Sequence, residues 1–257
     1  MIWIGTSGYS YKDWKGTFYP EGIKDKDMLP FYSEHYNFTE INSTYYRMPS
    51  TSMFKNMDER TPENFKFSVK AHSIFTHSRD ASGEDAKNFL DALKPIEEKG
   101  KLGTILFQFP NSFHFTKDNM DYLLKIREAF KERSLCFEFR NAFWTREDTI
   151  KLLKSLQIGW VCVDEPPIPG LVRPAVAATS DTAYVRFHGR NSEKWYDHKE
   201  AYERYDYMYS EKELGEWVSK IKYVDKNAKN TYIAFNNHFR AQGAKNASML
   251  KRLIMDA

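Results

Sequence analysis

Eight short runs rich in β-branched and aromatic residues recur along this chain, separated by polar loops and by stretches of helical periodicity. The runs cover residues 2–6, 38–42, 65–70, 103–109, 135–139, 159–164, 183–188 and 231–236. Helical patterns fall between them at 27–36, 51–60, 84–98, 117–131, 146–156, 211–225 and 244–255. The first is carried by Met28, Phe31, Tyr32 and Tyr36, with Pro30 in its opening turn, and the sixth by Leu214, Trp217, Val218 and Ile221. Strands separated by helices pair in parallel, and eight such units in 257 residues predict an α/β fold, a single (β/α)8 TIM barrel spanning residues 1–257. A doubly wound open sheet is the competing architecture. There is no linker, low-complexity tract or obvious repeat to divide the chain.

One joint departs from the pattern. Residues 165–182 carry Pro166, Pro167, Pro169, Gly170 and Pro174, which forbid a full helix, so an irregular crossover is expected between strands six and seven. Helix starts are marked by Thr116, by Ser210 with Glu213, and by Thr145 with Asp148.

Composition narrows the function classes. A net charge of +3 is too small to predict a nucleic-acid footprint by itself. Two cysteines, Cys136 and Cys162, cannot build a secreted disulfide framework and read as buried thiols, near neighbours on adjacent strands and both facing the lumen. The opening residues lack a secretory pattern and no run is apolar for the length of a bilayer, so the expected location is cytoplasmic.

Barrel enzymes and binding proteins place their reactive groups at the C-terminal strand ends. Here the strand phases set Phe67, Val69, Phe137, Phe139, Val185 and Phe187 toward the helices. The opposite phase brings Glu40, Asn42, Lys70, Gln108, Glu138, Arg140, Asp164, Arg186, His188, Asn236 and His238 toward the mouth. Their charges nearly cancel, which also fits an ion-pair network plugging the barrel. The share of Asn, Gln and His favours a polar-ligand site. Aromatics account for 16% of residues, and Tyr9, Tyr11, Trp14, Tyr45, Tyr46, Phe143, Trp144, Trp195 and Tyr196 follow strands in loops. Aromatic walls over a hydrogen-bonding floor suit a sugar ring or a base.

Familiar motifs are scarce. Gly5-Thr6-Ser7-Gly8 is a lone glycine turn, weak as a phosphate loop. No nucleophile elbow or zinc motif is present. Glu138, Asp164, His188 and His238 form a conceivable oxygen–nitrogen metal set, but Arg140 and Arg186 on the same faces would repel a divalent ion, so no cofactor is expected. Lys70 reads first as an ion-pair partner of Glu40 or Glu138 and second as a Schiff-base lysine.

These segments together resemble the YecE-like proteins, the family called domain of unknown function 72. The resemblance rests on Gly5-Thr6-Ser7-Gly8-Tyr9, on Glu40-Ile41-Asn42-Ser43-Thr44-Tyr45-Tyr46 and on Lys70 with Thr76-His77. It continues through Phe107-Gln108-Phe109-Pro110, Glu138-Phe139-Arg140, Arg186-Phe187-His188-Gly189 and Asn236-Asn237-His238. It runs from end to end and implies a TIM barrel; the sugar-isomerase likeness attached to the family is one of fold.

The expected function is therefore binding or transformation of a small polar ligand, a sugar or phosphate-bearing molecule. Glu40 or Glu138 would be the acid/base and His188 a second proton-transfer group. Lys70, Arg140 and Arg186 would hold negative charge, with Asn42, Tyr45, His77, Gln108, Asp164, Asn236, Asn237 and His238 completing the binding set. Isomerase-like and hydrolytic chemistry both remain open, as do a nuclease-like or nucleic-acid-binding barrel and a non-catalytic binding barrel. No membrane partner is expected, and the oligomeric state is not legible.

Overall fold

The computed structural model describes residues 1–257, the surroundings of Ala201 excepted. Its eight strands are β1 (Ile2–Ser7), β2 (Phe38–Ile41), β3 (Lys66–Lys70), β4 (Leu102–Phe109), β5 (Leu135–Phe139), β6 (Gly159–Asp164), β7 (Thr182–Phe187) and β8 (Asn230–Phe235). All pair in parallel in chain order, and β8 returns to β1, so the sheet is a closed barrel and the open-sheet alternative falls.

The helices are α1 (Met28–His35), α2 (Ser43–Tyr46), α3 (Thr51–Glu59), α4 (Gly83–Glu98), α5 (Lys117–Ala129), α6 (Glu147–Ser155), α7 (Glu211–Lys226) and α8 (Gln242–Met255). Each long one buries an apolar stripe at helical spacing, as Leu214, Trp217, Ile221 and Val224 show on α7. Burying one such side chain contributes roughly 1.5–3 kcal/mol, so the stripes rather than helix propensity hold this outer layer. Ser210 and Glu213 form the expected capping box, and Thr116 caps α5. Thr145 does not cap α6: it closes a preceding single turn (Ala142–Trp144), which shifts the helix start to an N-cap at Arg146 with no side-chain bond. The one-turn α2 carries no apolar period and was not legible in the sequence.

Outward aromatics of the strands stack into the helical layer. Trp144 lies 4.4 Å from Phe139 and 5.3 Å from Phe113, centroid to centroid, and Trp160 continues the stack at 5.7 Å from Phe139. Residues between β6 and β7 form no helix, as the prolines dictate. Instead they run outside β6, where Trp160 Nε1 donates to Ala175 O and the Trp160 amide donates to Thr179 Oγ1.

This crossover fixes the phase of β6. Cys162 points outward toward Ala177 O, whereas Cys136 points inward beside Thr104 Oγ1. Both thiols are unpaired and buried, but they occupy opposite faces of adjacent strands, contrary to the shared lumen-facing phase expected. The glycine turn expected at Gly5-Thr6-Ser7-Gly8 is not formed: Gly5, Thr6 and Ser7 continue β1 and pair with β2, and only Gly8 leaves the strand, with φ +85° and its N donating to Glu40 O at 2.7 Å. A side chain at Gly5 would strike Phe38 O, so glycine here allows the close backbone packing of β1 against β2.

Candidate active site

Lumen-facing residues near the C-terminal strand ends divide into two layers. In the lower layer Arg186, 1% exposed, lies between two carboxylates that are fully buried, Glu40 and Glu138. Arg186 donates to Glu40 from Nε at 2.9 Å and from Nη2 at 2.6 Å, and its Nη1 donates to Glu138 Oε2. Tyr184, two residues before Arg186 on the same face, adds a hydroxyl bond to Glu40 Oε2 at 2.7 Å. Arg140 Nε lies 2.6 Å from Glu138 Oε1, an ion contact without hydrogen-bond alignment. Burial alone would raise the Glu138 pKa, but Arg186, Arg140 and His188 outweigh it and hold the carboxyl well below the usual range.

His188 completes this layer and is fully buried. Its Nε2 lies 3.0 Å from Arg140 Nη2 and 3.2 Å from Glu138 Oε1. Burial, then the Arg140 charge, push its pKa down to about 3, so the ring is neutral and a weak base. The three residues expected to transfer protons, Glu40, Glu138 and His188, are thus closed beneath a guanidinium. They make the ion-pair plug that near-cancelling charges also predicted.

The upper layer is open. Two adjoining lobes of about 310 and 240 Å³ share Tyr45, Tyr46, Lys70, Gln108, Arg140 and Tyr205, and so form one cleft. Asn42, Arg186, Asn236 and His238 reach the inner lobe, and His77 and Trp195 the outer one. Other cavities lie away from the strand-end cleft. One of about 710 Å³ is lined mainly by the proline crossover, and one of about 380 Å³ lies against α1 and α8 near the start of β1.

Lys70 ends β3 with its ammonium inside the cleft. Nζ donates to Gln108 Oε1 at 3.0 Å and sits 4.3 Å over the Tyr45 ring. It makes no ion pair with Glu40 or Glu138, because Arg186 occupies both. Burial, reinforced by Arg186, lowers its pKa to about 7. His77 lies edge-on to Tyr45 at 5.1 Å, and burial and Lys70 lower its pKa. His238 stacks on Tyr11 at 4.5 Å, with its pKa lowered by burial. Asn42 Oδ1 and His238 Nδ1 are buried acceptor or donor atoms without a protein partner.

Arg140 links the layers. It reaches Glu165 with Nη1 at 2.6 Å and lies 5.8 Å from the Trp195 ring. Burial raises the Glu165 pKa to about 7 against the opposing pull of Arg140. The folded chain therefore binds more protons than the unfolded chain between about pH 4.5 and 7, and Glu165 erodes stability as pH rises through that window. Glu165→Gln should gain on the parent across the same window by roughly 3 kcal/mol. Urea melts at several pH values check this, and parallel pH profiles for the two proteins would refute it.

Two expected binding residues lie elsewhere. Asp164 is the last residue of β6 and pairs with outward-facing Phe187, so it faces the helices. There it accepts from Tyr209 OH and Trp217 Nε1, both at 2.7 Å, and from Arg190 Nη2 at 2.6 Å. Asn237 donates to Tyr207 O and Asn246 Oδ1, tying β8 to α8. With Asp164 turned outward, the conceivable metal set does not converge: no three His, Cys, Asp or Glu side chains form a ligand group among the described residues.

A family model described as protein of unknown function DUF72 matches residues 3–257. The chain belongs to the DUF72 family. Among its relatives, the UPF0759 protein YunF of Bacillus subtilis strain 168 is 30% identical, over 99% of this chain and 95% of its own length. The crystal structure of a DUF72 family protein from Thermotoga maritima MSB8 superposes with a TM-score of 0.92 at 40% identity, over 99% of both chains. One from Enterococcus faecalis V583 gives 0.88 at 28% identity, covering 99% of this chain and 96% of the other. Among the described residues, no helix is long and apolar enough to cross a membrane.

Several residues of the plug and the cleft lie outside the candidate set read from the sequence. Tyr184 shares the phase of Arg186, so its place in the plug was legible from periodicity. Glu165 follows β6 inside the proline segment, where no period applies. Arg204 and Tyr205, on a short 3-10 turn (Ala201–Tyr205), enter the cleft from a loop whose path only tertiary packing decides.

Proposed function

We propose that the cleft binds a small anionic ligand of the sugar-phosphate type. The observation that carries this reading is the sign of the lining: Lys70, Arg140, Arg186 and Arg204 border the cleft, and no Asp or Glu does among the described residues. Glu40 and Glu138 lie underneath and are engaged by Arg186, and Glu165 pairs with Arg140, so among the described residues Lys70 and Arg204 have no carboxylate partner. A phosphate or carboxylate over Lys70 and Arg140 restores the balance of charge at the mouth. Gln108, Asn42 and Asn236 offer directional hydrogen bonds to hydroxyl groups, and Tyr45, Tyr46, Tyr205 and Trp195 offer ring faces. The volume suits a molecule near monosaccharide size.

Calorimetric titration with ribitol 5-phosphate and with ribitol tests the reading. The phosphate ester should bind at least about tenfold more tightly, the scale of a charge-assisted hydrogen bond. It should also lose affinity as salt is added. Equal affinities, or no saturable binding of the ester, would overturn the proposal.

A further inference from the structure

We propose that Lys70 is a carbonyl-capturing amine, forming an imine with an aldehyde or ketone that carries a phosphate or carboxylate group. The inference rests on the cleft being an anion site and adds a covalent step to it.

This fold holds a structural lysine in a different way. Lys101, 3% exposed, pairs with Asp58 at 2.7 Å and also donates to Asp58 O, Thr61 O and Thr61 Oγ1. That arrangement satisfies a buried ammonium. Lys70 has one neutral acceptor, Gln108 Oε1, and one ring face, and its amine lines the cleft. Arg140 and Arg186 stand near it, and Glu40 and Glu138, the carboxylates of the adjoining plug, are taken up by Arg186. A lysine amine that is desolvated and placed beside other cations loses its proton readily and becomes a nucleophile. Its pKa, lowered to about 7 chiefly by burial and then by Arg186, accords with this geometry.

The step balances without a redox partner. The Lys70 ammonium first gives one proton to solvent. Nζ then bonds to the carbonyl carbon, the C=O π pair moves to oxygen, and proton transfer yields a neutral carbinolamine. The C–O bond breaks with a returning proton, water leaves, and a protonated imine remains. In sum, an ammonium and a carbonyl give an iminium and water. Arg140 is placed to hold the ligand's anionic group, and Gln108 to orient the amine.

Ribose 5-phosphate with sodium cyanoborohydride is the probe, and ribitol 5-phosphate is its carbonyl-free counterpart. Intact mass spectrometry should show one reduced adduct, and peptide mapping should place it on Lys70. Labelling there at pH 7 should exceed that of a typical surface lysine by about tenfold or more, since an ordinary lysine is almost wholly protonated at that pH. The Lys70 rate should rise with pH and level off just above 7. The charged groups around the amine are Arg186, Arg140, Glu138 and Glu40, with His77 beside it, and none replaces it as nucleophile at this pH. Lys70→Arg should remove the specific adduct. Adducts spread over surface lysines, or unchanged in Lys70→Arg, would overturn the imine while ribitol 5-phosphate binding leaves the anion site standing. Failure of ribitol 5-phosphate to bind would overturn both.

Discussion

Arg186→Met should destabilise the folded protein by about 3–5 kcal/mol, the cost of breaking a buried ion pair by removing one partner. One guanidinium here serves two carboxylates. Its loss leaves Glu40 with only the Tyr184 hydroxyl, and Glu138 with Arg140 and His188. Both carboxylates are fully buried, so water cannot take the place of the missing donors. A loss of that size is a large part of a typical domain's total stability, about 5–15 kcal/mol. The double variant Glu40→Gln/Arg186→Met should recover part of the loss, because it removes the orphaned charge together with its donor. Urea-induced unfolding of the parent, the single and the double variant measures this. A single variant within about 1 kcal/mol of the parent, well below the cost of an unpaired buried charge, would show the plug to be solvated and dispensable.

That plug separates what periodicity reveals from what it does not. Period-two phase told which side chains face the lumen, and Glu40, Glu138, Arg186, Lys70 and Asn42 all do. It carried no information on depth along the barrel axis. Glu40 is matched across the sheet with Ser68, and Lys70 stands two residues further up β3, one layer nearer solvent. That one step places Glu40 among sealed residues and Lys70 in the cleft. The barrel itself was legible almost residue by residue, because strand runs bounded by helical stripes leave few architectures. Asp164 was misplaced for a local reason. Strand six is apolar on both faces, so its phase rested on Cys162 alone, and that thiol faces outward under the crossover. Asn237 was carried by the resemblance, which matches segments without saying which face each residue takes.

Arg140→Ala should separate the layers functionally. Ligand affinity should fall by about a thousandfold, the scale for truncating a partially buried cation that meets a charged group, taken as roughly 4 kcal/mol. Stability should fall much less, by about 1–2 kcal/mol, because Glu138 keeps Arg186 and His188 and the remaining carboxyl, Glu165, can lose its charge. Glu165 already titrates near 7 with Arg140 beside it, and without that cation it takes up a proton more readily. Glu138→Gln should show the opposite balance. It removes the carboxylate that faces both Arg140 and Arg186, so the fold should weaken while the cationic lining of the cleft persists. Calorimetry with ribitol 5-phosphate and thermal melts of both variants give the two readouts. Arg140→Ala melting as low as Arg186→Met with affinity intact would make Arg140 part of the plug. The anion site would then have to rest on Lys70 and Arg204 alone. Retained stability with lost affinity assigns the plug to holding the barrel closed and the layer above it to the ligand.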